Sequence, residues 1–173
     1  MVTKIYCGID PGKTGAIAFI REDRSIFDVY GERWVFDMPV EYYSPKRTRI
    51  SVSGVENILF DMYGLRTLCA IEKQAAMPGQ GVTSVFSLGD SFGLLRALAG
   101  VAYDEVVEVA PRTWQKKINR PSTGDSKADS LAMARELFPD YDGLSRKKDH
   151  NRADALLLAV YARIMFRNGG GAG

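Results

Sequence analysis

The sequence predicts an α/β domain: a mixed central sheet whose first three strands run antiparallel and whose later strands run parallel, with helices on both faces. Three observations carry this. Apolar alternation of period two surrounds a tight turn near the start of the chain, an apolar run without alternation lies mid-chain, and segments with helical periodicity separate the later strand signals.

Residues 4–19, KIYCGIDPGKTGAIAF, open the chain. Ile5, Cys7 and Ile9 alternate, Pro11-Gly12 makes a turn, and Ala16, Ala18 and Ile20 alternate again, which predicts a β-hairpin. Asp10 ends the first strand, so a carboxylate that a buried strand would exclude sits at its rim. After the polar turn at 21–24, Ile26, Val29, Trp34, Val35 and Phe36 predict a third strand, bent near Gly31 and ended by Pro39. Residues 41–49 read as a polar connector carrying Lys46, Arg47 and Arg49. Ser51 or Ser53 caps a helix through Val55, Ile58, Leu59 and Met62 that Gly64 stops.

Leu68 to Ile71 is apolar without alternation, as in a strand covered on both faces, and Glu72 ends it. A loop at 77–81 leads into a helix that Thr83 or Ser84 opens and Gly100 closes. Residues 105–109 alternate as a strand, Pro111 suits the first turn of a short basic helix over 112–118, and 126–137 form an amphipathic helix. The last helix runs from Asn151 to Phe166, led by Asp149-His150. Antiparallel strands first and strand-helix alternation later is the ribonuclease H-like order.

At 173 residues, 46% hydrophobic and 25% charged, the chain has material for one core, predicted over 1–168, with a glycine-rich, disordered tail at 169–173. A net charge of +2 is too small to imply nucleic acid by itself, so any basic footprint has to be local. Cys7 and Cys69 lie in apolar strand-like runs without metal-ligand spacing and read as buried reduced thiols of a cytoplasmic protein. No run approaches about 18 consecutive apolar residues and no signal peptide is visible, which argues against a membrane span or secretion.

Asp10 and Glu72 end two strands, and as neighbours their carboxylates would converge. Asp154, set among Ala153, Ala155, Leu156 and Leu157, joins them from the last helix, where an ionised carboxylate needs a partner such as a cation. Three hard oxygen donors suit magnesium, and two such ions flanking a phosphodiester would stabilise attacking and leaving oxygens together. His150, the only histidine, lies four residues before Asp154 on the same helical face, and Asp149 competes with it for the fourth place. Taken singly each has a plainer reading: a turn-forming Asp, a salt-bridged Glu, an N-capping Asp149. Gly12-Lys13-Thr14 is no P-loop, because position 7 is Cys where that motif needs Gly, and a strand follows where a helix is required.

GIDPGKTGAIA (8–18), AIEKQ (70–74), MPGQGVTSVFSLGDSFG (77–93), VAPRTWQKK (109–117) and DHNRADALLLAVYA (149–162) together resemble the RuvC family of Holliday-junction resolvases, most closely the bacteriophage type. The resemblance implies a structure-selective, metal-dependent endonuclease, a homodimer that makes paired nicks in branched DNA in a bacterial or phage-infected cell. It implies Asp10, Glu72 and Asp154 as metal ligands and a fourth catalytic and ligand position at Asn151, His150 or Asp149, with His150 preferred and Asp149 next, and two Mg2+ ions replaceable by Mn2+, without a nucleotide cofactor. Lys13, Lys73, Phe86, Arg112, Lys116, Lys117, Lys147, Lys148 and Arg152 are the expected DNA contacts, Phe86 in the loop region where the family inserts side chains into the junction centre. Two other classes fit less well. An actin-like phosphotransferase carries two such domains around a nucleotide, and a silent junction-binding protein would lack a carboxylate.

Overall fold

The structure, a computed structural model, describes residues 4–25, 34–62 and 65–168. Its strands are β1 (Lys4–Asp10), β2 (Ala16–Arg21), β3 (Val35–Asp37), β4 (Val40–Ser44), β5 (Arg47–Ile50), β6 (Arg66–Glu72) and β7 (Glu105–Val109). The helices are α1 (Val52–Phe60), α2 (Val82–Ala102), α3 (Pro111–Lys117), α4 (Ser126–Leu137) and α5 (His150–Asn168), the last preceded by short 3-10 turns at Asp142–Leu144 and Lys147–Asp149. The main sheet has the order β3-β2-β1-β6-β7, antiparallel across β3, β2 and β1 and parallel across β1, β6 and β7.

Both faces of the sheet are covered, so alternation in β1 separates two cores and not core from water. Ile5, Cys7, Ile9, Ile17, Phe19, Cys69 and Ile71 pack with α1 and α2. Tyr6, Ala18, Ile20, Leu68 and Ala70 pack on the other face with Trp114, α4 and α5. Cys7 and Cys69 are register partners on the α1/α2 face, buried and free.

Gly8 decides how close α5 comes. A Cβ there would fall on the Ala155 carbonyl oxygen and the Ala159 amide nitrogen, so α5 lies directly on the β1 backbone. Gly15 does the same for the turn after β1, where a Cβ would strike the Asp10 carbonyl. Gly12, with φ at +117°, takes the conformation that turn needs.

Most boundaries agree with expectation: Ser51 caps α1 through the Gly54 amide, Pro111 starts α3, and α4 spans 126–137. The expected bend at Gly31 and stop at Gly64, like the tail, lie outside the described residues. α2 starts at Val82 and continues past Gly100 to Ala102. The supposed connector at 41–49 is a separate two-stranded hairpin, β4 with β5, held by the register pairs Val40–Ile50, Glu41–Arg49 and Tyr42–Thr48. Val, Tyr, Thr and Ile on both sides of Pro45-Lys46 supply the strand propensity that its charges concealed.

α2 also corrects the hydropathy reading. Counting consecutive apolar residues overlooked that Val82–Ala102 is long and apolar enough, at mean hydropathy 1.3, to cross a membrane by length and composition. Ser91, Leu95 and Ala99 bury one face in the core, whereas Val82, Phe86 and Val101 stand exposed.

Candidate active site

Side-chain parity brings the first two carboxylates together. In β1 the even positions Tyr6 and Gly8 face α5, and Asp10 continues that series. In β6 Leu68 and Ala70 face the same way, and Glu72 follows. The parallel register pairs Gly8 with Ala70 and Ile9 with Ile71, so Asp10 and Glu72 emerge side by side at one sheet end. Asp154 arrives from above, one residue before the Ala155 carbonyl that rests on Gly8.

The electrostatics agree. Burial first, then the charges of Asp154 and Glu72, hold the Asp10 carboxyl well above the usual carboxylate range. Glu72 is raised by burial against the opposing pull of its Trp114 hydrogen bond, with Asp154 adding to the rise. Asp154 is raised by burial, opposed by a hydrogen bond from Ser130 and by the charges of Arg120, His150 and Lys127. Among the described residues no three Asp, Glu, His or Cys side chains close on one point as a ready coordination sphere. The arrangement is a set of electrostatically coupled acids, a hard, anionic oxygen donor set that favours divalent cations.

His150 starts α5, its Nδ1 3.0 Å from the Lys147 carbonyl. A carbonyl only accepts, so Nδ1 carries the hydrogen of this contact, which leaves Nε2 as the nitrogen that bears a lone pair whenever the ring is neutral. Asp149 does not join the carboxylates. It is buried and taken up by Arg146, whose amide and guanidinium donate to it at 2.7 and 2.8 Å. That pairing pulls its pKa down in spite of burial. Asn151, the residue after His150, donates to the Thr14 carbonyl and ties α5 to the β1–β2 turn.

The expected DNA contacts divide. Lys13 lines two cavities beside the site, and Lys148 and His150 line one of them. Lys147 and Lys148 border a further cavity with His150 and Lys127. Lys73 is exposed directly after Glu72, its amide donating to the Val109 carbonyl. Phe86 is 77% exposed on α2. Arg112, Lys116 and Lys117 rim a cavity of about 710 Å³ with Tyr161 at its wall. Arg152 has partners within the fold: Nε and Nη2 fork onto Asp37 at 2.6 Å each and Nη1 donates to the Gly143 carbonyl, so this guanidinium clamps α5 to β3.

Sequence reasoning missed the groups that hold the carboxylates. Trp114 Nε1 donates to Glu72 Oε2 at 2.8 Å. Arg120 has a side chain only 5% exposed and donates to the Ser126 carbonyl at 2.6 Å and to Ser130 Oγ at 3.3 Å, the hydroxyl that supports Asp154. Trp114 follows an amphipathic pattern indistinguishable from core, and Arg120 sits in a turn where a positive-φ Asn119 redirects the chain.

The sheet order, the helix across β1 and the carboxylates at the strand ends define the class: this is an α/β protein with the ribonuclease H-like fold. Within that class the fold is that of RuvC. A Thermus thermophilus RuvC structure superposes with TM-score 0.55 at 16% identity, covering 95% of this chain and 96% of the other. RuvC of the same organism in complex with a Holliday junction substrate gives 0.59 at 17% identity, covering 96% of each chain. In sequence the chain is 29% identical, over an alignment of 159 residues that covers 75% of this chain and 18% of the relative, to the chloroplastic Holliday junction resolvase MOC1 of Chlamydomonas reinhardtii. No family model matches the sequence.

Proposed function

We propose that the chain is a RuvC-like endonuclease that resolves four-way or related branched DNA by metal-dependent phosphodiester hydrolysis. One observation carries the reading: acids from β1, β6 and α5 stand at one sheet end, where burial raises the proton affinity of all three and the charge of Asp154 raises Asp10 and Glu72 further. A relative in sequence is named as a Holliday junction resolvase and a protein of the same fold is seen with a Holliday junction substrate, which supports the substrate class.

Asp10, Glu72 and Asp154 would hold the metal ions, Mg2+ by the oxygen-only character of the set, with Mn2+ a substitute. Bound there, two such ions supply charge neutralisation at the phosphate and an acidified water. Trp114 fixes the Glu72 carboxylate, Ser130 and Arg120 fix Asp154, and Nε2 of His150 is the group available to accept the proton of the attacking water. The 3′ oxygen leaves in line, giving 5′-phosphate and 3′-hydroxyl ends.

The surface of α2 supports a homodimer. Val82, Phe86, Gly89, Gly93, Ala97 and Gly100 recur at three- and four-residue spacing along one stripe of the helix, and a Cβ at Gly89, Gly93 or Gly100 would meet nothing. Such a stripe admits a second copy of α2 closely, and two sites related by a two-fold axis match a nearly two-fold junction.

The test is incubation of a labelled four-way junction and a linear duplex of equal length with Mg2+. Paired nicks in the junction alone are expected, and Asp10→Asn, Glu72→Gln and Asp154→Asn should each lose cutting by at least about 10³-fold while retaining junction binding. A carboxylate variant that cuts at the full rate removes that residue from the site, and a wild-type protein that binds the junction without cutting it leaves only a binding module.

A further inference from the structure

The β4–β5 hairpin has no part in the site described above, yet it stands beside it and carries its own chemistry. Its register slips by one residue between Tyr42–Thr48 and Ser44–Arg47, so Tyr43 is the extra residue of a β-bulge. The bulge puts Tyr43 on the same side as Lys46 and Arg47 from the turn, and all three line a cavity of about 520 Å³. The opposite wall is the first turns of α2, with hydroxyls from Ser84 and Ser87, and Lys13 closes the end next to the Asp10 turn. No carboxylate lines this groove among the described residues. The hairpin's own acid, Glu41, is neutralised by Arg49 at 2.8 Å on the neighbouring strand.

Lys13 belongs to two cavities at once. It donates to the Thr48 carbonyl at 3.3 Å, fixing the hairpin to the turn after Asp10, and it also lines the roughly 620 Å³ cavity that holds His150 and Lys148. Lys13 thus borders both the hairpin groove, with cations at its far end and hydroxyls along one wall, and the cavity at the start of α5. Cations and hydroxyl donors without carboxylates suit a phosphodiester backbone, and the exposed ring of Tyr43, which the Arg49 guanidinium overlies at 5.8 Å, adds an aromatic group beside them.

We infer that this groove is a DNA-strand site, in which Lys46 and Arg47 grip backbone phosphates on one side of the cleaved bond while Tyr43 lies against the strand. The inference rests on the nuclease reading and adds to it an arm-holding element that a charge count along the sequence would treat as a solvated face.

The experiment measures junction affinity as a function of salt for the full chain, for Lys46→Gln/Arg47→Gln, and for the charge-keeping Lys46→Arg/Arg47→Lys. Both positions are exposed, so thermal melts should coincide. The neutralised pair should bind roughly tenfold more weakly at about 0.1 M salt, with the log–log salt slope reduced by ~1.8, the release expected for two phosphate contacts, and the charge-keeping pair should restore the slope. An unchanged slope, or a lost slope that the charge-keeping pair leaves unrestored, overturns the groove assignment. Failure of the wild-type chain to bind or cut the junction would instead overturn the nuclease reading, so the two failures are separable.

Discussion

Gly8→Ala tests the placement of the third carboxylate through the backbone, without touching any acid. The new Cβ would stand 2.9 Å from the Leu158 carbonyl carbon, against the 3.4 Å where ordinary contact begins, and nearer still to the Ala155 oxygen and Ala159 nitrogen. These are backbone atoms of a packed helix, so no side chain can swing away, and α5 has to retreat from β1 by at least roughly 0.5 Å. Overpacking of this kind costs about 1–3 kcal/mol. Asp154 precedes Ala155 and moves with it, and a displacement approaching 1 Å at a catalytic group costs on the order of 10²-fold in rate. Urea denaturation reports the first effect and single-turnover cutting of a labelled four-way junction the second, with junction affinity as the control that DNA contacts survive. A Gly8→Ala protein with the stability and cutting rate of the parent would refute the claim that contact between β1 and α5 sets the site.

Arg120→Ala should destabilise the chain by about 2–4 kcal/mol in chemical denaturation, because a buried guanidinium that bonds Ser126 and Ser130 is lost and Asp129, 3.9 Å away, keeps its charge without it. Stability without metal should respond to pH in a direction fixed by the site. Folding raises the pKa values of Asp10, Glu72 and Asp154, so their contribution is greatest below the unfolded carboxylate range near 4 and falls as pH rises through the elevated folded values. Asp37 and Asp149 shift the opposite way, so the comparison is wild type minus Asp10→Asn, and Mg2+ should raise the melting temperature more at about pH 8 than at about pH 5. Equal rises would contradict the coupled-acid picture. Gly93→Glu places a charge in the α2 stripe and should give a monomer by light scattering; a dimer of unchanged affinity would move the interface elsewhere.

The fold was legible wherever one physical signal dominated. Period-two alternation marked β1 and β2, the unbroken apolar run marked β6, and Pro111 and Ser51 marked helix starts, because each reflects a local constraint of sterics or backbone hydrogen bonding. The β4–β5 hairpin was hidden because its strands are exposed and charged, so burial leaves no pattern along them. At the site, Asp10 and Glu72 could be named from their strand-end positions, and parity makes their common direction a consequence of register. Asp149 and Arg152 have partners that spacing along the chain does not show, Arg146 in one case and Asp37 in the other. Trp114 and Arg120 reach the carboxylates only through tertiary packing, which spacing along the chain does not encode.

The indole of Trp114 turns the site into its own optical reporter. Its ring is wholly buried with the N–H on Glu72, and the second tryptophan, Trp34, lies in the opposite core with the α1/α2 residues. With Trp34→Phe, emission would arise from a single fluorophore one hydrogen bond from the acids, and a shift of its intensity on titration with Mg2+ or Ca2+ would measure ion arrival without any DNA in the cuvette.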